Sequence, residues 1–116
     1  MLSTKVPRVY LAGPMTGLPE FNYPAFNAEA ARIRALGYRV ENPAENPLPA
    51  EAPWHQCMRA AIRQMVVCDV VATLPGWDKS RGAQLEVYLA DRLEIPSVES
   101  ASLIEHQVTL SGELKP

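Results

Sequence analysis

Short apolar runs alternate along this chain with stretches whose apolar residues recur at helical spacing. Val6 to Ala12 is a compact run rich in β-formers and predicts strand one. Phe26, Ala30 and Ile33 then share one helical face, with Glu29, Arg32 and Arg34 off it. Pro24 suits the first turn of that helix, and Gly37 closes it just after Leu36. Tyr38-Arg39-Val40-Glu41 follows as strand two. Asn42 to Pro53 holds four of the eleven prolines and excludes a regular element. From Trp54 the helical pattern returns, with Met58, Ile62 and Met65 as the buried stripe and Gln56, Arg59, Arg63 and Gln64 facing water. Val70 to Leu74 predicts strand three, about Gly82 to Leu93 helix three, and Ile95 to Val98 strand four. Residues 100–116 are polar and weakly patterned; Val108-Thr109-Leu110 fits an edge strand, with fraying as the alternative.

Strands alternating with helices imply parallel pairing and right-handed crossovers. The strands are short and nearly all apolar, as expected where helices cover both faces of a sheet. Ligands of such folds bind beyond the carboxyl ends of the strands. Three loops leave those ends: Gly13 to Tyr23, Asn42 to Pro53, and Pro75 to Arg81. Topology therefore brings them together.

Composition narrows the classes of function. The 116 residues fit one domain, and 47% hydrophobic with 21% charged residues is the balance of a soluble globular protein. A net charge of -2, from 11 basic and 13 acidic residues, gives no basic excess for polymeric nucleic acid. Any phosphate contact must therefore be local. Cys57 and Cys68 fit neither a zinc site nor a Cys-x-x-Cys pair and read as buried free thiols. No apolar stretch approaches the ~20 residues of a membrane span, and the N-terminus has no signal-peptide core. The expectation is a cytoplasmic protein. His55 and His106 lack metal-ligand spacing, so neither a metal nor another cofactor is expected.

The chemistry concentrates in two loops. Leu74-Pro75-Gly76-Trp77-Asp78-Lys79-Ser80-Arg81-Gly82 links strand three to helix three, and Glu86 lies one turn further on. A helix N-terminus presents unpaired N–H groups and a positive dipole end, which suit a phosphate. Val9-Tyr10-Leu11-Ala12 followed by Gly13-Pro14-Met15-Thr16-Gly17 is a second strand-to-loop junction. Two such loops point to a nucleotide or sugar-phosphate ligand. By position alone Glu86 suits the helix dipole, at ~0.3–1 kcal/mol. Its neighbourhood offers another role, attack on an electrophilic carbon. Asp69 reads either as a turn residue or as a group that orients a base or protonates a leaving group. Asp78 is a solvated loop aspartate or the second carboxylate that glycosidic cleavage commonly uses. Trp77 either stacks on a base or shields the loop. The glycine loop is neither a Walker loop nor a dinucleotide fingerprint, and a plain tight turn is its ordinary reading.

Taken together, these residues resemble the nucleoside 2-deoxyribosyltransferase-like superfamily, and more closely the proteins grouped as domain of unknown function 4406. The resemblance rests on Tyr10 to Gly17, Asn22 with Ala25-Phe26, Asn42-Pro43-Ala44-Glu45, Met58-Arg59, Cys68-Asp69, Leu74 to Trp77, and Ser80-x-Gly82-x-x-x-Glu86. It implies a flavodoxin-like three-layer α/β/α sandwich with a parallel sheet of four to five strands. It also implies N-glycosidic chemistry on (deoxy)nucleosides or their 5′-monophosphates. Glu86 would attack C1′, Asp69 would contact the substrate or assist the departing base, and Ser80 would bind a 5′-phosphate. Tyr10, Gly13, Pro14, Met15, Thr16 and Gly17 would line the sugar site. Asn22, Asn42, Trp77, Asp78 and Gly82 complete the expected substrate-binding set. Relatives pair, so a homodimer or larger assembly is expected.

A glutamate at its ordinary pKa of ~4.3 would be ionised at neutral pH without further activation. One departure stands out: the first glycine loop carries no arginine for a phosphate, leaving Thr16, Ser80, loop amides, and Lys79 or Arg81 to hold one. A non-catalytic nucleotide sensor using the same pocket is therefore the competing reading. A phosphoribohydrolase of the Pro-Gly-Gly-x-Gly-Thr type is a third, and its glycine-threonine core is absent.

Overall fold

The computed structural model describes residues 6–49 and 51–105. Its elements are β1 (Arg8–Ala12), α1 (Tyr23–Ala35), β2 (Arg39–Glu41), α2 (Trp54–Met65), β3 (Val70–Thr73), α3 (Arg81–Arg92) and β4 (Ser97–Glu99). The four strands form one parallel sheet in the order β2-β1-β3-β4. Tyr10 lies in register with Glu41 on one side and Val71 on the other.

Alternation along β1 sets the layers, because successive side chains of a strand point to opposite faces. Tyr10 and Ala12 join Ala61 and Met65 of α2 and Ala83 and Ala90 of α3 in one buried cluster. Val9 and Leu11 join Phe26, Ala30 and Ile33 of α1 in the other. Val9, Tyr10 and Leu11 are fully buried, as a central strand covered on both faces requires. The helical stripe expected on α1 is the one observed.

The differences from expectation are local. β1 starts at Arg8 rather than Val6, and Tyr38 precedes β2. β4 starts at Ser97 rather than Ile95: Pro96 has no N–H to donate, though its carbonyl accepts from Val71 N at 2.9 Å. On α2 the buried stripe is Met58, Ala61 and Met65, with Ile62 half-buried. Gln64 is also half-buried, hydrogen-bonded to Asn46 and Glu41. The described residues between Asn42 and Pro53 are irregular apart from one 3-10 turn over Pro43–Glu45.

The start of the weakly patterned tail is tied down. Arg32 Nη2 donates to the Ser100 carbonyl at 2.7 Å while its guanidinium pairs with Glu29. Val108-Thr109-Leu110 and His106 lie outside the described residues. Among the described residues, no helix is long and apolar enough to cross a membrane.

Candidate active site

The cavity forms where β1 and β3 end and α2 and α3 begin. At the close of β1, Ala12 O accepts from Leu74 N at 2.8 Å, holding the two strand ends together. Gly13 follows at a point of close approach: a Cβ there would lie 2.9 Å from Leu74 Cβ and 3.3 Å from Phe26 Cζ. Only glycine lets the first loop leave the sheet between β3 and α1 without displacing either. Asn22 Nδ2 donates to the Pro14 carbonyl at 2.9 Å, bracing that loop from its far side.

The second loop delivers the start of α3. Ser80 is extended at the N-cap, and its Oγ accepts from Ala83 N at 3.3 Å, so a hydroxyl satisfies one free amide. Gly82 packs under α2; a Cβ there would meet Met58 Sδ at 3.0 Å. Ala83, Glu86 and Ala90 then form the buried stripe of α3. A carboxyl thus sits in the middle of an apolar helix face, where burial without a partner is costly.

The partner is Tyr10, whose Oη donates to Glu86 Oε2 at 2.6 Å. Glu86 is only 5% exposed and Tyr10 is fully buried. Burial pushes the Glu86 carboxyl up from 4.5 to about 7, against the opposing pull of the tyrosine hydrogen bond. The expectation of an ordinary, fully ionised glutamate is therefore corrected; removal from water is the cause. Burial, with the Glu86 charge beside it, raises the Tyr10 hydroxyl well above its usual range, so tyrosine stays the donor. Glu86 Oε1 makes no hydrogen bond to a described residue, and among the described residues no unpartnered side-chain oxygen or nitrogen is sealed from solvent. That oxygen is the one open to the cavity.

The cavity encloses about 300 Å³. Tyr10, Thr16, Ser80 and Glu86 supply polar groups to its lining, together with Gly13, Met15 and Gly82. Pro43, Asn46, Leu48, Pro49 and Ala52 of the loop before α2, with Trp54, Cys57, Met58 and Ala61 of α2, also line it. A recess of about 610 Å³ shares Thr16, Trp54, Ser80 and Gly82 with it. Pro14, Lys79 and Arg81 line that recess, and the Arg81 guanidinium stacks 3.8 Å from the Trp54 ring centre.

Seven of the expected residues thus meet at the cavity: Tyr10, Gly13, Met15, Thr16, Ser80, Gly82 and Glu86. Others stand elsewhere. Asp69 precedes β3 at the amino edge of the sheet, where Oδ2 accepts from Arg8 N at 2.8 Å, and does not line the cavity. Asn42 is buried, its Oδ1 capping Ala44 N and its Nδ2 donating to Asn27 at 3.0 Å. Trp77 packs against the core cluster of α2 and α3 rather than lining either space. Asp78 is exposed, and its carbonyl accepts from Gln84 Nε2. Gly17 is an exposed turn residue with φ +85°, and it lines neither space. Glu86 is consequently the single carboxylate among the described residues lining the cavity.

Reading the sequence missed the α2 wall and Asn46. Trp54, Cys57, Met58 and Ala61 recur at helical spacing and look like core; Cys57 is half-buried at the cavity rather than buried within the core. Cys68 is buried as expected, which pushes its thiol up to about 12. The described residues contain no cluster of three or more metal-ligating side chains.

A search of curated protein sequences found no match. Among solved structures the chain is similar to a 2-deoxyribosyltransferase from the psychrotolerant bacterium Bacillus psychrosaccharolyticus. The identity is 18% and the TM-score 0.62, over 90% of this chain and 79% of that one. The two share the parallel α/β fold of a 2-deoxyribosyltransferase. Residues 7–99 match the family model described as "Domain of unknown function (DUF4406)", and the chain belongs to that family.

Proposed function

We propose that the protein cleaves or transfers the N-glycosidic bond of a (deoxy)nucleoside or its 5′-monophosphate, with Glu86 as nucleophile. The carrying observation is the Tyr10–Glu86 pair: one carboxyl oxygen is held by a buried hydroxyl at 2.6 Å while the residue lines a cavity. In the reaction, Oε1 of ionised Glu86 attacks C1′ and the C1′–N bond breaks. Its electron pair goes to the base, which takes a proton from water. The glycosyl ester is then opened at C1′ by water or by a second base, freeing the carboxylate. The developing positive charge at C1′ is stabilised by the facing carboxylate inside an apolar cavity, where charge interacts strongly. Likeness to a 2-deoxyribosyltransferase fold supports the substrate class. The recess lined by Thr16, Lys79, Ser80 and Arg81 at the start of α3 would take a 5′-phosphate. Base release across a panel of nucleosides and 5′-monophosphates, followed by chromatography, tests the reading. Wild type should release base and Glu86→Ala should not; no turnover of any compound by the wild type refutes it.

One observation favours a second reading. With Asp69 and Asp78 outside the cavity lining, no second carboxyl among the described residues lines it to protonate a departing base. A nucleotide sensor would keep this pocket and return its ligand unchanged. Calorimetry joined to product analysis separates the two, because a sensor binds without releasing base.

A further inference from the structure

Among Pro43, Asn46, Leu48, Pro49 and Ala52 of the cavity lining, Asn46 alone has a side chain that makes a hydrogen bond. Its amide is held by a chain of side chains that begins at the sheet. Glu41, at the end of β2, accepts from Gln64 Nε2 at 3.3 Å. Gln64 Oε1 in turn accepts from Asn46 Nδ2 at 2.8 Å. A carboxylate only accepts, so it fixes which end of the Gln64 amide faces it, and that fixes the Asn46 amide as well. The nitrogen of Asn46 is committed to Gln64, and its Oδ1 has no partner among the described residues. Because no unpartnered side-chain oxygen is sealed among the described residues, Oδ1 is accessible at a residue that lines the cavity. The backbone beneath it is equally determined. Asn46 N donates to Pro43 O at 3.1 Å, Asn42 caps the preceding turn, and Glu45 pairs with Arg34 at 2.9 Å.

We infer that Asn46 selects the nucleobase: its Oδ1 accepts from an exocyclic amino group, favouring 6-aminopurines and 4-aminopyrimidines over their keto counterparts. This inference rests on the glycosidic reading, which puts C1′ at Glu86 and so the base inside the one cavity that Glu86 and Asn46 both line. On either ring system the C6 or C4 substituent lies on the edge remote from the glycosidic nitrogen. An amino group there donates to Oδ1, whereas a keto oxygen meets it lone pair to lone pair. Gln64 is a positioning residue that keeps the acceptor turned inward.

Titration calorimetry on the full-length protein tests this with two pairs, each with and without a 5′-phosphate: 2′-deoxyadenosine against 2′-deoxyinosine, and 2′-deoxycytidine against 2′-deoxyuridine. In whichever ring class binds, wild type should prefer the amino member by about ten-fold or more. Asn46→Ala should bring the ratio near one by weakening the amino ligand. Gln64→Leu should lower the ratio by weakening the amino ligand without weakening the keto ligand, an outcome that general loss of structure would not produce. The wild-type ratios decide the question without either variant. Equal affinity, or preference for the keto member, overturns the role of Asn46 and leaves the glycosidic reading standing. No binding of any of the ligands overturns both.

Discussion

Glu86→Gln should make this protein more stable above neutral pH, although it removes the residue proposed to do the chemistry. Burial holds the folded-state carboxyl at about 7 against 4.5 for the free side chain. Between those values the unfolded chain has released a proton that the folded chain still holds. Folding stability from this group is therefore full below about 4.5 and is lost as pH rises through about 7. The displacement corresponds to about 3 kcal/mol at pH 8, a large share of the ~5–15 kcal/mol that stabilises a typical domain. Glutamine keeps an acceptor for the Tyr10 hydroxyl and has no charge to desolvate. Urea unfolding followed by circular dichroism at pH 5 and pH 8 measures the difference. The variant should exceed wild type by ~2–3 kcal/mol at pH 8, with the gap narrowed to about 1 kcal/mol or less at pH 5. Equal stabilities at pH 8, or a gap that widens toward pH 5, would refute the assignment of a burial-raised carboxyl.

Tyr10→Phe removes the hydrogen bond that favours the charged form, so the Glu86 midpoint should move up further, as read by carbon-13 NMR of the labelled carboxyl. Base release by that variant at pH 7 should fall about ten-fold and recover in part at pH 9, since each 1.36 kcal/mol is roughly one pH unit. Gly13→Ala should lower stability by about 1–3 kcal/mol in the same urea assay, because its methyl would stand 2.9 Å from Leu74 Cβ. Ser80→Ala should cost about 1 kcal/mol through loss of the α3 cap. It should also weaken binding of a 5′-monophosphate more than of the parent nucleoside, measured by calorimetry.

Most of the frame was legible before any coordinates. Val9 to Ala12 and Val70 to Ala72 are continuous apolar runs because helices cover both their faces. The spacing of Phe26, Ala30 and Ile33 announced the face of α1. Glu86 was legible through its loop, since a carboxylate soon after Ser80 and Gly82 must lie near the end of β3. Its protonation was not, because desolvation depends on Tyr10 of β1 and Ala61 and Met65 of α2 packing in one cluster with the Ala83 and Ala90 face of α3. Asp69 misled because the sequence places it next to β3 without saying that it occupies the strand's far end. Asn42 looked like a ligand group and is instead the buried cap of a turn. Its neighbour Asn46 was passed over in a proline-rich loop, and only the contact with Gln64 on α2 reveals how it is held.

The central claim is that Glu86 forms a bond to the sugar. Fluorine at C2′ with arabino geometry destabilises the oxocarbenium-like transition state and slows turnover of a glycosyl ester, so a 2′-fluoro-arabinonucleoside should accumulate one. Peptide-mapping mass spectrometry after acid quench should find the fluorosugar on the peptide that carries Glu86, with one equivalent of free base. Binding of the same nucleoside with no adduct and no released base would contradict the account.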